Sequence, residues 1–183
     1  RSRGLGDVYK RQFPRRARRG DVRRAPTPGR RTWHGPRPLK LRFLGTRGEI
    51  EARTLRHRRH ASLEVSYRGR RVMIDAGEDW RGELERLAPR AIVVTHAHPD
   101  HAWGLKDGAP CPVWATEVTW EAMEDYPIPG ADRHVVEPRT PFEVEGVALE
   151  AFALEHSTRA PAVGYRIEAG RRAVFYAPDV VYV

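Results

Sequence analysis

From Leu39 onward, apolar and polar positions fall into short runs of strand length. Leu39-Lys40-Leu41-Arg42-Phe43-Leu44 alternates with the period of two that a half-buried strand requires, and it stops at Gly45. A polar loop follows, holding Arg53, Arg56, Arg58 and Arg59 together with His57 and His60. Ser62 to Tyr67 and Arg71 to Asp75 predict a hairpin turned by Arg68-Gly69-Arg70. Asp79 stands where it would cap a short amphipathic helix from Trp80 to Leu87, which Pro89 ends. Ala91-Ile92-Val93-Val94 is a continuous apolar run, as expected of a strand covered on both faces. A strand at Val113-Trp114-Ala115 leads into a helix from about Thr116 to Tyr126. Beyond Pro127 the chain predicts strands at Val135-Val136, Phe142 to Val144, Val147 to Leu154, Val163 to Ile167 and Ala173 to Tyr176. Glu145-Gly146 and Ala169-Gly170 are the turns between the later strands. Many strands, few helices and no internal repeat predict a mixed α/β sandwich. A doubly wound parallel sheet fits worse, because several connections are too short for helical crossovers.

Composition changes this picture mainly at one end. The chain has 183 residues, 40% hydrophobic and 31% charged, enough for one domain with a real core. No apolar run approaches the roughly 20 residues that cross a bilayer, and no secretory leader is visible. The single cysteine, Cys111, cannot form an internal disulfide; flanked by prolines, it is expected to be a small buried strand residue. A cytoplasmic setting fits these features. The net charge of +9 suggests a nucleic-acid partner until it is located: residues 1–38 carry a balance of +11, residues 39–183 one of −2. Residues 1–38 also hold five prolines and little aliphatic content, so they are expected to be a disordered basic tail. Its arginine blocks could touch phosphate backbones without sequence preference. The opening RSRGLGDVYKRQ lacks an initiator Met and resembles translated adapter sequence, so residues 1–12 are expected to be a sequencing artefact.

The chemistry concentrates in Thr95-His96-Ala97-His98-Pro99-Asp100-His101, directly after the apolar run. Imidazole nitrogens and carboxylate oxygens suit zinc and its first-row neighbours. His98 and His101 are three apart and His96 and Asp100 four apart, so a helical turn brings each pair together. Four ligand-type side chains exceed what one catalytic ion draws from a single loop, which points to two ions sharing the cluster. The bland alternative is a polar, histidine-rich surface loop.

His96-x-His98-x-Asp100-His101, followed by Gly104-Leu105, resembles the signature of the metallo-β-lactamase superfamily, an αββα sandwich of metal-dependent hydrolases. Four further segments over residues 39–183 agree in order and spacing. Phe43 to Gly48 resembles the opening strand and glycine loop, and Val72 to Gly77 the strand ending in Asp and Gly. Leu154 to Ser157 resembles the segment bearing a third histidine, and Tyr176 to Asp179 the strand end bearing a bridging aspartate. The resemblance implies that His96, His98 and His156 hold a first metal ion and Asp100 and His101 a second. Asp179 would bridge both ions, and Asp75 would stand behind them, holding the histidine loop by hydrogen bonds. Each has a plainer reading: Asp75 as an aspartate at a strand exit, His156 as a surface histidine after a strand. Relatives resembling the pyrroloquinoline-quinone biosynthesis B protein share the Pro-Asp strand end but carry another aspartate further on. The family also supplies a further histidine downstream of the bridging aspartate, and this chain ends four residues after Asp179. The expectation is therefore a sandwich incomplete at its C-terminus, with the His96–His98–His156 position the better formed and activity reduced or lost in the fragment itself.

Two divalent ions, zinc expected but manganese or iron compatible, would lower the pKa of a bound water and supply a hydroxide nucleophile, with Asp100 orienting that water or holding its proton. Class B β-lactamases of the best-known type put a cysteine on the second metal; here Cys111 is poorly placed for that role. A carboxylate-rich site without thiolate favours hard, oxygen-rich substrates such as phosphodiesters, small or nucleic acid. The opening loop and Pro-Asp strand end look closest to the ribonuclease Z and cyclic-phosphodiesterase branches. The alternatives are hydrolysis of another ester, a thioester or a lactam, and a metal-containing nucleic-acid-binding protein without turnover. The Arg53 to His60 loop could meet an anionic substrate or simply be solvated. Trp103 could line the pocket or pack beneath it, and Trp114 and Trp120 are expected in the core. Substrate-binding residues and oligomeric state stay unknown at this level.

Overall fold

The computed structural model describes residues 38–156 and 161–180. The expected basic tail lies outside them apart from Pro38. Two sheets stack face to face. The first has the order β1-β2-β3-β4-β5-β6. Its β1 (Lys40–Gly45), β2 (Ser62–Tyr67) and β3 (Arg70–Ile74) form an antiparallel meander. Its β4 (Ala91–Val93), β5 (Val113–Ala115) and β6 (Arg133–Val135) then continue in parallel. The second sheet is an antiparallel meander of β7 (Phe142–Val144), β8 (Val147–Leu154), β9 (Ala162–Ala169) and β10 (Arg172–Tyr176).

The period of two decides which residue goes where. Val72 and Ile74 face the second sheet, while Met73 between them faces the other way. Ala91 and Val93 likewise face inward, and Ile92 and Val94 outward. The inward set meets Val147, Leu149, Ala151, Tyr165 and Ile167 of the second sheet. The outward set is covered by Trp80, Leu84, Leu105, Trp120 and Met123. Three short helices, α1 (Leu84–Leu87), α2 (Pro99–Ala102) and α3 (Glu117–Ala122), supply this cover together with the 3₁₀ turns Glu78–Trp80 and Trp103–Leu105 and the cap residue Met123. Helix layer and two sheets make an α/β sandwich of the expected kind; among the described residues no helix covers the outer face of the second sheet. No described helix is long and apolar enough to cross a membrane.

Several boundaries differ from the sequence expectation. The β2–β3 turn has two residues, not three, because Arg70 pairs with Tyr67. Arg68 and Gly69 both take positive φ, the twist that a tight hairpin needs. Trp80 to Leu87 is not one helix: a 3₁₀ turn at Glu78–Trp80 is followed by α1, and Ala88 ends it in a left-handed conformation before Pro89. Asp79 caps nothing, since its carboxylate is claimed by Arg47, Arg53 and the backbone N–H of His60. The helix after β5 stops at Ala122, with Thr116 as its cap. Val136 is buried, but pairing runs over Arg133–Val135. Cys111 lies just before β5 rather than on it, and burial pushes its thiol up to about 12, as expected of an inert packing residue. Trp120 is core, whereas half-buried Trp114 stacks on His134 with ring centroids 4.3 Å apart.

Candidate metal centre

The histidine segment starts where β4 ends and is bent into place by a helix start. His98 is extended at the N-cap of α2, and Pro99 fills the first helical position, where a missing N–H costs nothing. That single turn swings Asp100 and His101 back beneath the exit of β3. Two bonds lock it there: Ala76 N–H donates to the His101 carbonyl at 2.7 Å, and Gly104 N–H to the Ala76 carbonyl at 2.8 Å. The approach is so close that a Cβ on Gly77 would stand 2.0 Å from the Asp100 carbonyl oxygen, and one on Gly104 2.6 Å from that of Ala76. Only glycine fits between these backbones.

His156, beyond the end of β8, and Asp179, beyond the end of β10, close the cluster from the second sheet. His98 Nδ1 is 3.1 Å from His96 Nε2 and 3.2 Å from His156 Nε2. Asp179 Oδ2 lies 3.6 Å from His156 Nε2, 3.9 Å from His96 Nε2 and 3.3 Å from His101 Nε2. Asp100 Oδ2 is 3.2 Å from the same His101 nitrogen. Two donor groups emerge, His96–His98–His156–Asp179 and Asp100–His101–Asp179, with Asp179 common to both. All six residues singled out as ligands from the sequence converge here.

Behind them runs a buried chain of hydrogen bonds. Asp75, held at positive φ, accepts from the Thr95 N–H at 2.7 Å and from the Thr95 hydroxyl. His101 Nδ1 is 2.8 Å from Asp75 Oδ2, so it carries the proton and leaves Nε2 facing the cluster. The Thr95 hydroxyl has one proton, which goes to Asp75. It can therefore only accept from His96 Nδ1–H, 3.1 Å away, and this turns the lone pair of His96 Nε2 towards His98. Thr95 escaped the sequence reading because a threonine at a strand end carries no signal of its own.

Protonation follows from these contacts. Burial, with repulsion from His101 and His98, pulls His96 down to about 3, so it is a neutral donor. Burial would lower His101 too, but Asp75, Asp100 and Asp179 outweigh it and raise it to about 12. His101, whose Nε2 lies 3.3 Å away, holds the Asp179 carboxyl below its ordinary range. Asp100 is depressed as well: burial works against ionisation, and His101 overcomes it. Among the described residues, the buried atoms Asp100 Oδ1 and His101 Nε2 have no hydrogen-bond partner. Unpaired buried donors and acceptors are costly. Here they point into a set of nitrogens and carboxylate oxygens whose chemistry fits a divalent cation.

Two cavities adjoin the cluster. One of about 370 Å³ has Asp100, His101 and Asp179 in its lining with Phe43, Phe175 and Tyr176. Another, of about 650 Å³, is bounded by Pro99 and Trp103, so Trp103 lines a cavity rather than packing beneath one. Its far wall holds an ion-pair knot that the sequence did not reveal. Arg47, buried although charged, meets Asp79 at 2.5 Å, and Arg53 reaches the same carboxylate at 2.7 Å. Asp79 N–H donates to His60 Nδ1 at 3.2 Å. Part of the arginine loop is thus structural.

Comparison with known proteins agrees with this geometry. Residues 70–183 match the family described as the Beta-lactamase superfamily domain. The chain is 29% identical to a ribonuclease Z of Methanopyrus kandleri over 154 residues, which is 72% of this chain and 51% of that protein. Among solved structures, a diphosphatase of the PhnP family superposes with a TM-score of 0.55 at 25% identity, covering 74% of this chain and 65% of the other. The metallo-β-lactamase fold protein YhfI of Bacillus subtilis superposes with a TM-score of 0.57 at 14% identity, covering 75% and 60%; that likeness concerns the fold alone. The chain spans about half the length of the ribonuclease Z that it matches.

Proposed function

The chain belongs to the metallo-β-lactamase superfamily, and from that premise we propose that it hydrolyses phosphodiesters with two divalent cations, zinc in the first instance. The observation that carries this reading is the pair of donor groups sharing Asp179. His96, His98 and His156 would hold the first ion and Asp100 and His101 the second, with Asp179 available to both. Such ions, when bound, lower the pKa of a coordinated water towards neutrality and draw charge from the phosphoryl oxygens. The protein's own groups do the rest. Thr95 keeps His96 in the tautomer that offers Nε2, and Asp75, bonded to Nδ1 of His101, leaves Nε2 as the nitrogen that a cation would take in place of a proton. Asp100 Oδ1, without a hydrogen-bond partner among the described residues, orients the attacking water and accepts its proton. Attack at phosphorus breaks one P–O bond, and the departing alkoxide takes up a proton from water.

A ribonuclease Z relative and a diphosphatase neighbour support a phosphoryl centre over a lactam carbonyl. The nitrogen-rich first position supports zinc, and a lone, inert Cys111 supports a cytoplasmic setting. Turnover of bis-p-nitrophenyl phosphate and of a chromogenic cephalosporin, each with added zinc or manganese, tests the reading. The expected result is phosphodiester cleavage that falls about 100-fold or more in Asp100→Asn, the usual cost of losing a general base. Lactam cleavage without phosphodiester cleavage would overturn it.

A further inference from the structure

We propose that a groove running from the metal centre past Phe43 to the arginine loop is a track for single-stranded nucleic acid. The proposal rests on the hydrolase reading above and names the polymer whose phosphodiester that centre would meet. The 370 Å³ cavity over Asp100, His101 and Asp179 extends to Phe43. A second cavity of about 260 Å³, lined by Leu55, Arg56, Arg58 and Arg59, shares Phe43, Gly45 and Thr46 with it as a common wall.

The two ends of this groove differ in the way a polynucleotide does. At the junction, Phe43 is 62% exposed and Phe175 50% exposed, and both line the cavity above the centre. Isolated exposed apolar residues are ordinary, but two open rings flanking one cavity over a ligand cluster are not. An aromatic face stacks on any base and so needs no sequence. At the outer end the lining has three arginines and no carboxylate. Arg59 is engaged over the Trp80 ring at 4.7 Å and near Glu83 at 3.6 Å. Arg56 and Arg58 are exposed and make no ion pair among the described residues. The loop that carries them is anchored: the Arg59 carbonyl accepts from Thr46 N–H and Arg47 N–H, and the Thr46 hydroxyl lies 2.9 Å from His57 Nδ1. By contrast, the 650 Å³ cavity beyond Pro99 has both its arginines tied to Asp79 and adds Glu49, Glu51 and Glu78. An anionic strand is drawn along Phe43, not there.

The test is binding of a fluorescein-labelled oligothymidylate of about twelve nucleotides to the full chain, in chelator so that nothing is cleaved, over a range of salt. Arg56→Glu/Arg58→Glu should weaken binding tenfold or more and lower the slope of log affinity against log salt by about 1.4, two phosphates at about 0.7 each for single strands. Arg68→Glu/Arg90→Glu makes the same change of charge at the opposite end of the first sheet and should leave both quantities near wild type. Phe43→Leu/Phe175→Leu should weaken binding fivefold or more with the salt slope unchanged. Equal effects of the two arginine pairs, or wild-type binding by the leucine pair, would overturn the proposal. So would equal competition by polyglutamate, which would favour an acidic protein partner. Groove-dependent binding, with no cleavage of oligonucleotide or of bis-p-nitrophenyl phosphate by the metal-loaded chain, would instead overturn the hydrolase reading alone.

Discussion

At the scale of single residues, the proposed centre depends on side chains that touch no ion. Thr95 is the sharpest case, because one hydroxyl both donates to Asp75 and orients His96. Thr95→Val keeps the shape and removes the hydroxyl, and zinc affinity measured against a chromophoric chelator should fall about tenfold. Thr95→Ser should restore it, which a purely steric role would not require. Asp79 gives a second prediction. Burial works against its charge, but Arg47 and the His60 N–H hold its carboxyl below the ordinary range. A depressed carboxylate contributes stability that is present above its unfolded value, about 3.9, and is lost as pH falls through the folded one. Asp79→Asn should therefore cost about 3 kcal/mol in urea unfolding at neutral pH, since it strands buried Arg47. The gap to wild type should close as the pH is taken below about 4. A gap that stays constant with pH would assign the loss to packing instead.

At the scale of elements, the site is made by the ends of strands and one helical turn. Gly104→Ala would push a methyl into the Ala76 carbonyl and drive α2 away from the β3 exit. Overpacking of this kind costs about 1–3 kcal/mol, and the thermal midpoint should drop by several degrees along with zinc affinity. A variant as stable and as metal-competent as wild type would show that this contact is not what seats Asp100 and His101. The elements also mark how far the sequence could be read. Strands β1, β2, β7 and β8 were legible to within a residue, because alternation follows where one face is covered and the other is open. The helices were not. Trp80 to Leu87 has helical spacing, yet Arg47 and Arg53, more than 25 residues upstream, pull Asp79 into an ion pair and leave a 3₁₀ turn. The ligand cluster was legible from residue types and spacing through the family resemblance. Its supports were less so. Asp75 stood out on a strand exit, but the Thr95 relay and the Arg47–Asp79 knot are tertiary pairings that no local pattern encodes.

At the scale of the whole molecule, the two sheets meet at the centre: His96, His98, Asp100 and His101 come from the first, and His156 and Asp179 from the second. A cation bound across that seam links the sheets, so zinc at 100 times its dissociation constant should stabilise the fold by about 2.7 kcal/mol over the chelated protein. Removing His156 should abolish most of that gain, although the residue is partly exposed and adds little to the core. The central claim is that the cluster holds metal, and elemental analysis tests it most directly. The full chain is equilibrated with zinc, desalted and compared with His98→Ala treated in the same way. The account predicts at least one zinc retained per wild-type chain and a loss of that ion in the variant. Equal zinc in the two proteins, or none in either, would contradict it.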